Sequence, residues 1–186
     1  MEFAAGRGGN ARPVRKISGS HTDLFGSTGV ALDRSGNIFV SEDNAIVIFG
    51  ARAKGDAPPK RVIWGEFTLL KAPNGIAVDD TGIYVGSCKR KYIERFKRNA
   101  DGNVPPSAII LGPRTTIRAC VNGLAVDGDG TVYATTFEPR ILGFRGLSDG
   151  NVKPAMHLAG TNTALAYPRY LYVRTPRRTF SDTRPF

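Results

Sequence analysis

A short apolar segment recurs along the chain at nearly constant intervals. Its clearest copies read Asn-Gly-Ile-Ala-Val-Asp and Asn-Gly-Leu-Ala-Val-Asp, a third copy is shorter and a fourth is degenerate; they occupy residues 74–79, 122–127, 29–33 and 169–174. Equivalent positions in the four copies are 46, 48 and 47 residues apart. A fixed period of this length is typical of repeat architectures, so the rest of the sequence is best interpreted in the register of the repeat.

Three further features recur in the same register. They are an aromatic residue that closes a strand, a turn of the form Gly-[Asn/Asp]-x-x-Pro, and a β-rich run that ends at a glycine. The aromatic residues are Phe3, Phe49, Phe96 and Phe144; the turns begin at Gly9, Gly55, Gly102 and Gly150; the runs end at Gly19, Gly65, Gly112 and Gly160. Several independent features with one period make a chance repeat very improbable.

The local signals within one period all favour β-structure. Each first strand is followed by an Asp/Gly turn of the hairpin type and by a second strand rich in β-branched and aromatic residues. No window has a convincing 3.6-residue periodicity, so we predict no helix. Four short antiparallel strands per period of about 45 residues indicate a propeller blade, whereas a β-solenoid, the alternative architecture, usually has shorter repeats.

The sequence therefore predicts an all-β propeller of about four repeats, as a closed small ring or as a partial propeller. We assign residues 1–173 to the repeats and 174–186 to a basic tail or weak closing strand. Within the repeats we expect a half blade at 1–19, blades at 20–64, 65–111 and 112–158, and the start of a blade at 159–173. Ring closure would pair strands from the two termini and remove exposed edges; the alternative is an open array.

The repeats resemble NHL repeats, a family of four-stranded propeller blades. The resemblance rests on residues 73–79, on 82–85, on the strand that ends at Phe96, and on the second copy at 121–133. The Gly-Asn-Val-x-Pro turns at Gly102 and Gly150 are similar to those of a bacterial subset of NHL-like proteins, which implies a location outside the cytoplasm. NHL propellers usually have six blades and act as binding modules. Their acidic corner after the second strand is not reproduced here.

Charge is the one extreme of the composition. The chain of 186 residues carries a formal net charge of +10, which favours contact with polyanions such as RNA or anionic glycans. Loops that a propeller would place on one face hold the candidate polyanion-binding residues Lys71, Lys89, Arg90, Lys91, Arg114 and Arg118. The alternative is a merely solvated basic surface. We find no apolar run long enough to span a membrane and no signal peptide.

Other reactive side chains are few. The two histidines, His21 and His157, fall at different places in the repeat, so we interpret both as structural. Cys88 and Cys120 lie on loops expected at the same face and form either a disulfide or, the favoured alternative, two free thiols. The stretch 127–130, Asp-Gly-Asp-Gly, superficially resembles a calcium loop but fits a hairpin turn better.

These features favour a binding or interaction module without catalytic residues, metal or cofactor. We expect the partner to be a protein, a glycan or another polyanion, and self-association through open blade edges is a further expectation. The first alternative is a propeller-type lyase or lactonase with a metal in the central tunnel, which the scarcity of histidines disfavours. The second is a polyanion binder that acts through the basic loop face.

Overall fold

The computed structural model describes residues 1–173. This part of the chain forms twelve strands in three sheets of four, and each sheet is built from consecutive strands that pair in sequence order. The first sheet contains β1 (Gly29–Leu32), β2 (Ile38–Ser41), β3 (Ala45–Phe49) and β4 (Arg61–Trp64). The second contains β5 (Pro73–Val78), β6 (Gly82–Ser87), β7 (Ile93–Lys97) and β8 (Ala108–Ile110). The third contains β9 (Val121–Val126), β10 (Val132–Thr136), β11 (Arg140–Phe144) and β12 (Met156–Ala159).

Each sheet is an antiparallel meander, which is the blade that the repeat predicts. The recurrent apolar segment is the first strand of every blade, and its terminal aspartate closes the turn to the second strand. Asp79 shows how this works, since one carboxylate oxygen accepts the backbone N–H groups of Thr81 at 2.7 Å and Gly82 at 2.9 Å. A side chain that satisfies these donors favours a tight reversal, so the aspartate recurs for a structural reason.

The core lies between blades. One cluster joins the first blade to the second and includes Phe39 and Phe96; another joins the second to the third and includes Tyr84 and Phe144. Phe49, Phe96 and Phe144, the aromatic residues that close the third strands, are each 0 % exposed. Because a single blade would leave both of its faces in water, this stacking supplies the apolar burial that holds the repeats together.

Short 3-10 turns, which the periodicity did not predict, follow the outer strands. They cover η1 (Glu66–Thr68), η2 (Pro113–Thr115) and η3 (Thr161–Thr163). In η1 the preceding Gly65 has a φ of 113°, and Thr68 donates its hydroxyl to the Gly65 carbonyl oxygen at 2.6 Å. Three residues are too few to show a helical period, which is why the expectation of no helix missed these turns. Residues 1–173 contain no α-helix.

A turn between the third and fourth strands connects each blade to the one before it. In the second blade, the Gly102 N–H donates to the Val62 carbonyl at 2.8 Å, and Asn103 Oδ1 accepts the Phe67 N–H at 2.8 Å. Gly150 and Asn151 make the equivalent bonds to Ile109 and Arg114, and Gly55 and Asp56 make them to Lys16 and His21. We call this contact, which occurs three times in the described chain, the blade clasp. The Gly-Asn sequence recurs because it forms the clasp.

The two ends of the described chain are less complete. Near the N-terminus, Glu2 pairs with Arg15, and Ile17 packs against the core of the first blade. Near the other end, Tyr170 lies against Gly123, in the position that a first strand of a further blade would take. Within residues 1–173 no backbone hydrogen bond joins the two ends, although residues near both of them, Glu2 and Tyr170 among them, line one cavity. The closing strand proposed for 174–186 lies outside the described residues.

The blade clasp predicts a specific loss of stability. In Asn103→Ala the Phe67 N–H loses its acceptor, so we expect the free energy of unfolding to fall by about 1 kcal/mol. The control is Asn99→Ala, four residues away on an exposed part of the same connection. Urea denaturation of both variants measures the difference, and equal stability of the two would contradict a structural role for the Asn103 side chain.

Candidate functional site

The first strands line an inner groove. It has a volume of about 860 Å³ and receives residues from β1, β5 and β9 as well as Tyr170 and Leu171. This is the arrangement expected of a central tunnel, and the N-terminal residues Glu2, Arg15 and Ile17 also line it. Val30 and Leu32 of β1 face the groove with exposed apolar side chains.

Aspartates gather at one end of this groove but are engaged in local structure. A second cavity of about 540 Å³ is lined there by Asp33, Asp79 and Asp127, the terminal residues of the three apolar segments. Asp33 also contacts Arg98. Burial raises the pKa of Asp33, but hydrogen bonds with Asn37 and the charge of Arg98 lower it by more, so the net shift is downward. In residues 1–173 no group of three or more His, Cys, Asp and Glu side chains is arranged to hold a metal ion.

The stretch 127–130 is a hairpin turn between β9 and β10. Asp127 Oδ1 accepts the N–H groups of Asp129 at 3.0 Å and Thr131 at 2.9 Å, while the Tyr133 hydroxyl donates to Oδ2 at 2.9 Å. Glu138, which stands where a calcium loop would need its last ligand, forms a salt bridge with Arg140 at 3.0 Å. The hairpin interpretation of this stretch accounts for its contacts.

The two histidines lie in different surroundings. His21 is exposed, and its Nδ1 lies 2.7 Å from Asp56 Oδ2 at the first blade clasp. Hydrogen bonding from His21 lowers the pKa of Asp56. His157 lies in the outer strand β12 and pairs with Leu142. The structure does not bring the two together, and neither enters the inner groove.

The loops at one end of the blades form a continuous surface, which we call the loop face. It comprises residues 18–28, 65–72 and 111–120, before the first strands, and 42–44, 88–92 and 137–139, between second and third strands. Hydrogen bonds from backbone N–H groups to carbonyl or carboxylate oxygens tie the two loop types together within each blade. Cys88 N–H donates to the Ala72 carbonyl at 3.0 Å, Phe137 N–H donates to the Cys120 carbonyl at 3.3 Å, and Glu42 accepts the Phe25 N–H at 3.0 Å.

All six candidate polyanion-binding residues are exposed on the loop face. Ser87 helps to assemble them, because its hydroxyl donates to the Lys71 carbonyl at 2.7 Å and accepts the Arg90 N–H at 3.0 Å. None of the six takes part in a salt bridge within the described chain. The structure thus brings Lys71 close to the backbone of the 89–91 loop, while Arg114 and Arg118 occupy the neighbouring blade.

Exposed aromatic side chains share these loops, which the sequence interpretation missed. Phe25 is 89 %, Phe67 64 % and Phe137 46 % exposed. The signal available in the sequence was that Phe67 lies on the same inter-strand connection as Lys71. Isolated exposed apolar residues are common, but aromatic residues alternating with arginine and lysine on one face are typical of protein interfaces.

Cys88 and Cys120 join the second and third blades at the loop face. The structure shows them as a disulfide pair with a Cα–Cα distance of 3.8 Å, and no free cysteine is present in residues 1–173. They meet because the 88–92 loop and the start of β9 lie at the same end of neighbouring blades, whereas the sequence favoured two free thiols. The pairing holds one basic loop beside the next blade.

A buried glutamate is the least expected polar side chain. Glu94 is 0 % exposed in β7, and within residues 1–173 neither carboxylate oxygen has a hydrogen-bond partner. It pairs across the sheet with Val85, which belongs to the core between the first two blades. Burial raises the pKa of Glu94 to about 8, while the nearby Tyr92 side chain and then the charge of Arg90 act in the opposite direction. The equivalent residues, Val47 and Leu142, are apolar, so alignment of the repeats would have revealed it.

Solved structures share this architecture. The crystal structure of RRP9 WD40 repeats aligns with a TM-score of 0.58 at 16% identity, covering 77% of this chain and 41% of that chain. The WD40 β-propeller domain of Doa1 aligns with a TM-score of 0.51 at 16% identity, covering 69% of this chain and 40% of that chain. A chain of the Mitotic Checkpoint Complex aligns with a TM-score of 0.54 at 13% identity, covering 71% of this chain and 38% of that chain. The fold is that of a β-propeller.

These similarities establish architecture alone. The chain spans about 40% of the length of the propeller chains it matches, so its three blades correspond to part of a ring. No protein-family model and no curated protein matches the sequence. Among the described residues there is no helix with the length and apolarity needed to cross a membrane.

Replacement of Glu94 tests its effect on stability. Because an unpaired carboxyl is costly to bury, Glu94→Leu should raise the free energy of unfolding by about 1–3 kcal/mol, and Leu142→Glu at the matching position should lower it by a similar amount. The pKa of Glu94 is raised by folding from 4.5 to about 8, so the folded state favours the neutral carboxyl; the stability associated with that preference is fully present below pH 4.5 and is lost as pH rises through 8, where Glu94 must ionise in the core. Denaturation at pH 5 and pH 8 should show this loss in the native chain but not in Glu94→Leu. An identical pH dependence in both would contradict it.

The cysteine pair gives a separate prediction. Without reductant, Cys88 and Cys120 should resist alkylation in the unfolded chain, and mass spectrometry should find one peptide pair linked through them. Reduction should lower the free energy of unfolding by about 2–4 kcal/mol, because the bond closes a long loop in the unfolded state. Quantitative alkylation of both residues without reductant would show that the thiols are free.

Proposed function

We propose that this propeller is a protein-interaction module that binds its partner through the loop face. The observation that carries the proposal is the combination of exposed aromatic side chains with unpaired basic side chains on that face. Aromatic and arginine residues supply much of the binding energy of protein interfaces. Phe67 and Phe137, on neighbouring blades, would be the apolar anchors, and the surrounding basic residues would select an acidic partner surface.

Several features support a rigid presentation of these residues. The basic 89–91 loop is connected to the next blade through Cys88, and its backbone is bonded to Ser87. The 65–72 loop is held by the hydroxyl of Tyr92, which donates to the Leu69 carbonyl at 2.8 Å. Loops fixed in this way lose little conformational freedom on binding, which favours affinity. The Mitotic Checkpoint Complex, one of the matched structures, is an assembly.

We also propose that the repeats are of the NHL type. The support is the segment Asn-Gly-φ-Ala-φ-Asp at residues 74–79 and 122–127, where φ is an apolar residue, together with the Gly-Asn turns at Gly102 and Gly150. The WD40 domains to which the structure is similar share only its architecture at 13–16% identity.

The loop-face proposal is tested by comparing two variants of equal exposure. Phe67 lies on the loop face and is 64 % exposed; Leu147 lies in the turn at the opposite end of the third blade and is 65 % exposed. We expect Phe67→Glu to weaken the affinity for proteins captured from a cell extract of the source organism at least tenfold. Leu147→Glu should leave that affinity unchanged. Equal capture by both variants would contradict binding at the loop face.

Polyanion binding is the second candidate, because six exposed basic side chains on one face make no salt bridge. It predicts that heparin or RNA retains the protein, that retention falls steeply with salt, and that changing Lys89, Arg90 and Lys91 to Glu abolishes it. Protein capture through Phe67 should instead persist at high salt, because apolar contacts are not screened. The polyanion candidate would be favoured over the protein partner if the triple change abolished retention while Phe67→Glu left it intact.

A further inference from the structure

The second and third blades hold the connection before their first strand in different ways. In the second blade, the Tyr92 hydroxyl donates to the Leu69 carbonyl at 2.8 Å, at the end of η1. In the third blade, the residues at the same repeat positions are Arg140 and Thr116, and Arg140 Nη1 donates to the Thr116 carbonyl at 3.4 Å. The carbonyl at the end of the 3-10 turn is thus bonded by a neutral hydroxyl in one blade. In the next blade it is bonded by a guanidinium, which is charged at every physiological pH.

Glu94 shares a face of the sheet with Tyr92. The two residues are two positions apart, and alternate side chains of a strand point to the same face. Glu94 is 0 % exposed, and within residues 1–173 neither of its carboxylate oxygens has a hydrogen-bond partner. The equivalent pairs in the first and third blades are Ala45 with Val47 and Arg140 with Leu142. Among the three described blades, the second is therefore the one with a carboxyl next to the donor that holds its connection.

Apart from Tyr92, the immediate surroundings of Glu94 are apolar. It pairs across the sheet with Val85 and Ile109, and the first blade and the 65–72 connection fill the same core with Ile46, Ile63 and Leu70. The other charged or titratable residues of these elements are exposed or make other contacts: Arg61, Glu66, Lys71, Tyr84, Arg95 and Lys97. Among the described residues, the titratable groups that act on Glu94 are Tyr92 and, through its charge, Arg90. Tyr92 is therefore the donor available to Glu94 in the core.

We propose that Tyr92 and Glu94 form a pH-sensitive switch, which holds the 65–72 connection while Glu94 is neutral and releases it when Glu94 ionises. A hydroxyl has a single proton to donate, and a carboxylate is a stronger acceptor than a neutral carbonyl. On ionisation of Glu94, the Tyr92 hydroxyl therefore leaves the Leu69 carbonyl and donates to the carboxylate. Burial and the charge of Glu94 raise the pKa of Tyr92, so its hydroxyl keeps the proton that this exchange requires.

The switch operates in a defined pH range and acts on the loop face. Burial raises the pKa of Glu94 to about 8, so the 65–72 connection is held in neutral solution and released as the pH rises through 8. Phe67 and Lys71 lie on this connection, and its release changes the surface that they present. The consequence for partner binding rests on the proposed loop-face function, whereas the exchange of hydrogen bonds does not.

Limited digestion of the native chain with trypsin tests the switch, because the third blade supplies an internal control. Lys71 and Arg118 are exposed at equivalent positions of the two connections, and trypsin cleaves after both residue types. Mass spectrometry measures the ratio of cleavage after Lys71 to cleavage after Arg118, which cancels the pH dependence of trypsin itself. Between pH 7 and pH 9 the ionised fraction of Glu94 rises about tenfold, and the ratio should rise by a similar factor because cleavage follows the population of the released connection. An unchanged ratio would overturn the proposal.

Variants assign the effect to the two residues. Glu94→Gln and Glu94→Leu are neutral at every pH, so in both the ratio should stay at the low value of the native chain at pH 7. Tyr92→Phe should give the high ratio at both pH values, whereas the control Tyr133→Phe, which loses a hydroxyl bonded to Asp127, should behave as the native chain does. A rise with pH in the Glu94 variants, or a low ratio in Tyr92→Phe at pH 7, would overturn the proposal.

The digestion needs no binding partner, so its outcome is independent of the loop-face function. A ratio that rises with pH, together with equal protein capture by Phe67→Glu and Leu147→Glu, would support the switch and contradict the function. An unchanged ratio with capture lost only in Phe67→Glu would do the reverse.

Discussion

The structure depends on a backbone hydrogen bond that each blade makes to the blade before it. The N–H groups of Gly55, Gly102 and Gly150 donate to the preceding outer strand, and the Asn or Asp that follows accepts an N–H at the start of the next connection. This contact fixes the separation of neighbouring blades at the rim, while apolar packing fills the space between them. Glycine recurs in the turn because its φ there is positive, at 64°, 68° and 70°, and asparagine or aspartate recurs because a side-chain acceptor is required.

Most of the fold could be predicted from the sequence because the repeat imposes it. The period of 46–48 residues, the strands that end at Phe49, Phe96 and Phe144, and the hairpin turns all describe local or nearest-neighbour structure, which recurs wherever its residues recur. The 3-10 turns were missed because three residues are too few to show a helical period, although Thr68, Thr115 and Thr163, which make the same hydrogen bond in each turn, recur with the period of the repeat. The strand order within each blade agrees with the predicted meander.

The surfaces were harder to predict, because they depend on which loops lie together. The positions of Lys71 and Arg90 in the repeat predicted that both lie on the same face. They did not predict that Phe67 and Phe137 are exposed on that face as well. Glu94 was overlooked because a glutamate flanked by basic residues suggests a solvated strand. Only the register shows that it occupies the position of Val47 and Leu142.

The central claim is that the blade clasp holds the repeats in register, and site-resolved amide hydrogen exchange tests it most directly. The account predicts that the N–H groups of Gly55, Gly102 and Gly150 exchange slowly and become unprotected together with the core strands as denaturant is added. Exchange of these three amides at the rate of an unfolded chain, under conditions where Phe96 and its strand remain protected, would contradict it.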